Sequence, residues 1–321
     1  LNKLIIVGNG FDLHHGLPTT YKGFGEYLRE HDLSLLDDID SLISFPQEDD
    51  DIWSRFEDNL AHIDMDYLDE RIIEYVPSPS SDEYNTDIGA CIVEAERLVR
   101  GLTTDLRYQF ANYISKANAK DVQTSKLLNI DSDSLFISFN YTTTLERFYN
   151  IDKNRVLYIH GTCDCEGSII LGHATDPETF AQDISNDIMP SDVSEEEQQM
   201  WEEEMSNQYV PFLDEARENL ASYYSKSYKD SDQIIEKNKV FFEQLLMVNS
   251  IHILGHSMSE VDFLYFEILK RYVQIDCFWY VSYYSEEDRE NIISVLESLG
   301  IAEDKCALFR LDNILASASS F

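Results

Sequence analysis

The sequence predicts an α/β protein with a mostly parallel sheet covered by helices on both faces, on three observations. Short apolar runs bounded by turn residues recur along the chain, segments of helical period stand between several of them, and glycine or polar residues follow the runs at once. Continuous short apolar runs suit strands buried on both faces, and their alternation with helices favours parallel pairing. A chain of 321 residues, 43% of them hydrophobic, holds enough apolar material for one large core and a helical annex.

The first strand is Lys3 to Val7 (KLIIV), ended by Gly8. A helix is expected from about Thr19, because Pro18, Thr19 and Thr20 give a start signal and Phe24, Tyr27 and Leu28 then share one face. From Ile52 to about Lys120 the period is helical, broken by the Pro- and Ser-containing stretch Val76 to Asp87. Trp53, Phe56, Leu60 and Ile63 mark the stripe of one long helix, and Ile88, Cys91, Ile92, Ala95, Leu98, Val99, Leu102, Leu106 and Phe110 that of a second. Asp49, Asp50 and Asp51 precede the first, where negative charge suits the positive end of a helix dipole. Strand signals resume at Leu135 to Phe139, Val156 to Ile159, Ser168 to Leu171, Ser250 to Leu254, Ile275 to Ser282 and Ala307 to Arg310. Helices are expected over Glu260 to Tyr272 and Glu286 to Leu299. The segment from Asp176 to Met247 is polar, strongly acidic around Ser194 to Met205, and helical in period. Residues 1–321 therefore read as a single α/β domain with two large helical insertions, at about 45–125 and 176–247.

Composition limits the partners. With 61 acidic against 24 basic residues and a formal charge of −37, the chain would repel a polyphosphate backbone, so nucleic acid is not an expected partner. A small anionic ligand stays compatible, because backbone N–H groups at a helix start bind phosphate whatever the global charge. No run reaches the roughly 20 apolar residues of a membrane helix, and the opening LNKLIIVGNG does not read as a signal peptide. Five cysteines, odd in number and sparse, suit free thiols in a reducing cytoplasm. Cys163 and Cys165 form a lone C-x-C with no second pair at ligand spacing, and no metal is expected. The 19 tyrosines are expected mainly at the edge of the core, and the apolar stripes of the insertions suit either the sheet or a second copy in a homo-oligomer.

In an open parallel sheet the ligand crevice lies outside the carboxyl ends of the strands. Those ends read Gly8-Asn9-Gly10-Phe11-Asp12, Asn140-Tyr141-Thr142, His160-Gly161 and Gly255-His256-Ser257. Each has an ordinary reading as well as a functional one. Gly8 and Gly10 suit either a tight turn or a phosphate, and Leu13 stands where a full dinucleotide fingerprint has its third glycine. Asn140 suits an Asx turn, His160 a loop histidine with its bonds satisfied, and Ser257 a helix cap. Convergence of all four ends at one edge is what favours a binding site. Glu57, on a helix, and Asp12, after the glycine turn, are further candidates whose ordinary reading is an ion pair or a cap.

The blocks GNGFD, SFNYTTTLE, YIHG and ILGHSMSEVD, in this order, resemble the sirtuin-like families, and GNGFDLHHGLPTTY with WSRFEDNL resembles the bacterial AbiH abortive-infection family in particular. The resemblance covers scattered blocks from about residue 3 to 265. It implies a Rossmann-like, NAD-binding core and, for defence relatives, cleavage of NAD during phage infection. By position, Gly8, Asn9 and Gly10 match the phosphate-side turn and Asn140 the asparagine beside the nicotinamide ribose. His160 matches the general base of an H-G motif, and Gly255 and Ser257 the strand end on the adenosine side. Thr142 stands where sirtuins have Asp, Asn9 and Phe11 replace small residues, and the four-cysteine zinc ribbon is missing, so protein deacetylation is not expected.

Cleaving nicotinamide from ribose passes through an oxocarbenium-like sugar, as other glycosyl cleavages do. Asn140 could hold a ribose hydroxyl or the attacking water, and His160 could take its proton. Nicotinamide leaves neutral, so no strong acid is needed. The expected activity is hydrolysis of NAD to nicotinamide and ADP-ribose, with a phage or host protein as trigger. The alternatives are a non-catalytic module that senses NAD or ADP-ribose or binds a partner, and another nucleotide N-glycosidase.

Overall fold

The computed structural model describes residues 2–43, 52–77, 89–165, 167–180 and 211–313. Its sheet has six strands, β1 (Lys3–Val7), β2 (Leu135–Ser138), β3 (Val156–Tyr158), β4 (Ser250–Leu254), β5 (Phe278–Tyr283) and β6 (Cys306–Arg310). They run in the order β3-β2-β1-β4-β5-β6, and every neighbouring pair is parallel. This is the doubly wound order of Rossmann-like α/β proteins, with its topological switch point between β1 and β4.

The apolar run of β1 is explained by burial on both sides. Leu4 and Ile6 join the core on one face with Ile251, Ile253, Leu269 and Trp279, while Ile5 and Val7 join the other with Phe11, Phe136, Leu145 and Leu254. Each fully buried aliphatic chain of this kind contributes roughly 1.5–3 kcal/mol, so an alternating half-polar strand could not take this place.

The chain divides into two compact units, one of Leu1–Glu30, Arg107–Leu171 and Lys229–Phe321, the other of His31–Leu106 and Gly172–Tyr228. The first holds the sheet and its covering helices, among them Asn9–His14, Tyr21–His31, Phe263–Tyr272 and Glu286–Ser298. Thr20 caps the helix from Tyr21, its Oγ1 accepting the Gly23 N–H at 3.0 Å.

The second unit is helical. Asp32 and Asp64 cap Leu33–Leu42 and Met65–Ile73 by accepting from Leu35 N at 3.1 Å and Tyr67 N at 2.9 Å. Ala90–Arg100 packs on Pro211–Ser227. Two buried carboxylates, Asp38 and Glu94, are each bridged by two arginines: Arg71 at 3.0 and 3.3 Å, and Arg97 at 2.8 Å to both. Buried carboxylates tolerate removal from water only when paired in this way.

The units depart from the sequence reading in their limits. The expected insertions at about 45–125 and 176–247 become 31–106 and 172–228, because Leu33–Leu42 caps and packs within the helical unit while the helix Leu106–Asn118 falls almost wholly in the sheet unit. The stripe from Cys91 to Phe110 is buried except for Ile92, which is half-buried, and a π-helical turn, Gly101–Asp105, interrupts the helix. Phe56, Leu60 and Ile63 are buried without one long helix: Phe56–Asn59 is a single turn, and Ile63 bridges Ile43. Ser168 to Leu171, expected as a strand, is not one. Its single backbone bond to the sheet edge, Ile170 N–H to His160 O at 2.9 Å, follows the left-handed turn at Gly161. Asp49 to Asp51, most of Val76 to Asp87, and Ser194 to Met205 lie outside the described residues. No helix among the described residues is long and apolar enough to cross a membrane.

Gly255 and Gly167 both have left-handed φ, +66° and +72°. A Cβ on Gly255 would stand 2.1 Å from Phe11 N, whereas one on Gly167 would meet nothing within 4 Å. Gly167→Ala should therefore cost only the ~1–2 kcal/mol of left-handed backbone, while Gly255→Ala should cost more than twice as much or prevent folding. Paired urea denaturation curves check the contrast, and equal midpoints would contradict it.

Candidate functional site

The β1 and β4 ends meet at the switch point through glycine. Gly8 N–H donates to Leu254 O at 3.1 Å, Gly10 N–H to Gly255 O at 2.8 Å and Phe11 N–H to Gly8 O at 2.8 Å. A Cβ on Gly8 would lie 2.7 Å from Gly255 O and from His256 Cα, and one on Gly10 would lie 2.9 Å from Gly255 Cα. These glycines thus let two backbones touch. Of the tight turn and the phosphate site that the sequence leaves open here, the tight turn is what is seen, and the N–H groups of Gly10 and Phe11 are bound inside the protein. Asn9 is exposed, and its Oδ1 accepts from Thr19 Oγ1 at 2.6 Å.

The turn leads into the short helix Asn9–His14, which places Phe11 in the core and Asp12 under the β2 end. His15 anchors the far end: Nδ1–H donates to Phe11 O at 2.6 Å, and Nε2 pairs with Tyr149 Oη at 2.6 Å. Burial holds this imidazole neutral, lowering it to about 4.

Asp12 is buried, and its carboxyl accepts from both Thr142 Oγ1 at 2.6 Å and Thr144 Oγ1 at 2.7 Å. Burial pushes it up to about 6, against the lowering effect of Thr142, Thr144 and the neighbouring Asn140 amide. Thr142 thereby gains a definite role, since a carboxylate in its place would face that of Asp12.

The Asn140 side chain is not satisfied in this way. Ser138 Oγ pins its backbone, accepting from Asn140 N at 3.2 Å and donating to Asn140 O at 3.3 Å. Its side chain is buried, and although the amide lies close enough to Asp12 to favour that carboxylate, neither Oδ1 nor Nδ2 makes a hydrogen bond of good geometry. An unmet buried polar group costs about 1–3 kcal/mol, a loss that a ligand or bound water would recover. The surroundings are acidic: burial, then the charges of Glu146, Asp12 and Asp164, push the Tyr158 phenol up. Hydroxyl donors suit this end of the site better than phosphate does.

Tyr141 is committed, its hydroxyl donating to Ile170 O at 3.1 Å and its ring edge-on to Phe110 at 4.9 Å. The next strand end brings in His160, buried between Phe139 at 5.5 Å, Tyr141 at 6.0 Å and Tyr265 at 6.2 Å between ring centroids. Its Nε2 lies 3.1 Å from Asp262 Oδ1 and 3.2 Å from Lys229 Nζ, and Lys229 lies 3.5 Å from the same oxygen. His256 completes the group: its Nδ1 accepts from Met258 N at 2.8 Å, so its hydrogen is on Nε2, 3.4 Å from Asp262 Oδ2. Burial pushes the Asp262 carboxyl up, but the Lys229 ammonium and the two imidazoles outweigh it and hold the group well below the usual carboxylate range. Gly161, beyond His160, has φ +75°, and a Cβ there would strike Ser168 O at 2.0 Å. Ser257 is exposed.

All four predicted strand ends thus lie in the sheet unit, while Glu57 belongs to the helical one. Sequence reasoning missed three residues. Thr144 and Asp262 lie inside the blocks SFNYTTTLE and GHSMSEVD, where they were readable as polar residues near a strand end. Lys229, in the stretch SYYSKSYKD, had no local signal at all. Among the described residues no group of three or more His, Cys, Asp or Glu could hold a metal, and the five cysteines are free.

Strand order and a polar carboxyl edge define a Rossmann-like α/β protein with a buried polar site beside its switch point. The family model described as Bacteriophage abortive infection AbiH matches residues 4–283, and the chain belongs to that family. No curated protein and no solved structure matches it significantly.

The Asp12 carboxyl has a stability consequence. Its folded value, about 6, lies above the ordinary 3.8, so between these values the folded state holds a proton that the unfolded chain has lost. Its contribution is present below about pH 4 and fades as pH rises through 6, by up to about 3 kcal/mol. Asp12→Asn should remove this decline, gaining on the wild type between pH 4.5 and pH 7 in urea denaturation. Parallel pH profiles would contradict the assignment.

Proposed function

We propose that this AbiH-family chain acts in phage abortive infection by hydrolysing NAD to nicotinamide and ADP-ribose at the carboxyl edge of the sheet. The observation that carries the reading is the Asn140 side chain, buried, unsatisfied at both polar atoms and set beside the Asp12 carboxyl. A ribose hydroxyl both donates and accepts, as such an amide requires, and the acidic surroundings favour sugar over phosphate. The choice of nucleotide rests on the resemblance of the strand-end motifs, in their order, to sirtuin-like sequences.

In this mechanism Asn140 holds a ribose hydroxyl, or the water aligned on the anomeric carbon. As the bond between nicotinamide nitrogen and ribose breaks, positive charge develops on the sugar and the bond electrons leave with neutral nicotinamide. Water adds to the anomeric carbon, His160 takes its proton, and that proton passes to solvent. Asp12, Phe11, Thr142 and Tyr141 shape the ribose end of the pocket. Gly255, His256 and Ser257 mark the adenosine side.

Purified protein incubated with NAD should release nicotinamide, measured by chromatography, and Asn140→Ala or His160→Ala should lower turnover by at least about 100-fold. Turnover unchanged in both variants would refute the assignment.

One observation favours a second reading, a nucleotide N-glycosidase that does not take a dinucleotide. The Gly10 and Phe11 N–H groups are used by Gly255 O and Gly8 O, so the glycine turn offers them to no pyrophosphate. Nicotinamide mononucleotide and purine nucleotides, assayed beside NAD, separate the two. Preference for NAD supports the first, and cleavage of mononucleotides with NAD left intact supports the second.

A further inference from the structure

We propose that Asp262, held ionised by the buried Lys229, is a positioning residue that fixes His160 as the Nε2–H tautomer and so makes Nδ1 its proton-accepting nitrogen. The inference rests on the reading of His160 as the group that takes the proton from water.

The geometry is that of a carboxylate hub. Asp262 Oδ1 faces His160 Nε2 at 3.1 Å and Lys229 Nζ at 3.5 Å, and Oδ2 faces His256 Nε2 at 3.4 Å. The His256 hydrogen is fixed on Nε2, because its Nδ1 already accepts from Met258 N at 2.8 Å. The Lys229 side chain is fully buried, and a buried ammonium requires a nearby counter-charge. Asp262 supplies it, and as a carboxylate it can only accept hydrogen bonds.

His160 Nε2 can donate to that oxygen or accept from the ammonium 3.2 Å away, not both. With donation, Lys229 and two imidazole N–H groups converge on one carboxylate. Acceptance would put a ring lone pair against a carboxylate oxygen at 3.1 Å, with no hydrogen between them. The hub therefore selects Nε2–H. A carboxylate on the N–H side of an imidazole also stabilises the imidazolium formed when the other nitrogen takes a proton, as in hydrolytic triads.

The ring is fixed from its other sides by aromatic packing. Phe139 lies 5.5 Å from the His160 centroid and 4.3 Å from that of His256, edge-on to both, so one ring wedges the two imidazoles against Asp262. The hub is drawn from the segment after β4 and from Lys229, just ahead of the helix Ser231–Lys237.

The test is a long-range nitrogen–proton NMR spectrum of the full chain labelled with 15N-histidine, the His160 signals being assigned by their loss in His160→Gln. The wild type should show a protonated-type shift at Nε2 and a lone-pair-type shift at Nδ1. In Asp262→Asn, where an amide no longer competes with the Lys229 ammonium, this pattern should be lost or reversed. Turnover of NAD in that variant should fall about 10²- to 10⁴-fold in kcat with KM changed only a few-fold. A wild-type spectrum with the hydrogen on Nδ1 would overturn the proposal, and needs no variant to fold. So would an Asp262→Asn spectrum identical to wild type. A wild type with the expected tautomer that releases no nicotinamide would instead refute the proposed reaction and leave the tautomer assignment standing.

Discussion

The approach of the β1 and β4 ends at the switch point is the constraint on which the rest of the site depends. Two backbones meet there at a separation that side chains forbid, with Gly10 N–H on Gly255 O and a left-handed Gly255 between Gly10 and Phe11. In a doubly wound sheet this point is where a cleft ordinarily opens. Here glycine lets the two backbones touch, and two of the polar residues that follow, Asp12 and His256, are buried. Asp12 is carried under the β2 end and His256 against Phe139, and each becomes buried at the start of its own polar group.

Those two groups solve the burial of charge in different ways. Asp12 is surrounded by hydroxyls and an amide, with no ion pair to a cation among the described residues, and its carboxyl rises towards neutrality as burial demands. Asp262 is given a buried ammonium and two imidazoles and stays ionised. A protonatable carboxyl beside an unsatisfied amide thus stands near an ionised carboxylate paired with two imidazoles, and the proposed reaction would use the first for the sugar and the second for the proton. Pairs of titratable groups whose surroundings drive them apart are characteristic of catalytic sites.

Much of this was legible in the chain, and for reasons that can be stated. KLIIV and SIHIL are central strands buried on both faces, so their apolar runs and terminal glycines were unambiguous. The four strand ends could be read because parallel topology forces them to one edge. What was hidden depended on long-range partners. Gly8-Asn9-Gly10 looks the same whether its amides face a phosphate or another loop, and only the position of Gly255 decides. SIILG carries a strand's composition, yet the left-handed turn at Gly161 leaves it one bond to the sheet edge. Lys229 reads as one more surface lysine until Asp262, 33 positions further on, is seen to be its counter-ion. The stripe from Trp53 to Ile63 has helical spacing, and Phe56, Leu60 and Ile63 are buried, but Ile63 is drawn into a bridge with Ile43.

The most direct test is a crystal structure of the protein with ADP-ribose bound. The account predicts a ribose hydroxyl within hydrogen-bonding distance of both the Asn140 amide and the Asp12 carboxyl, with His160 still tied to Asp262 and no phosphate on the Gly10 amide. ADP-ribose bound away from the carboxyl ends of β2 and β3, with the Asn140 amide still lacking a partner, would contradict it.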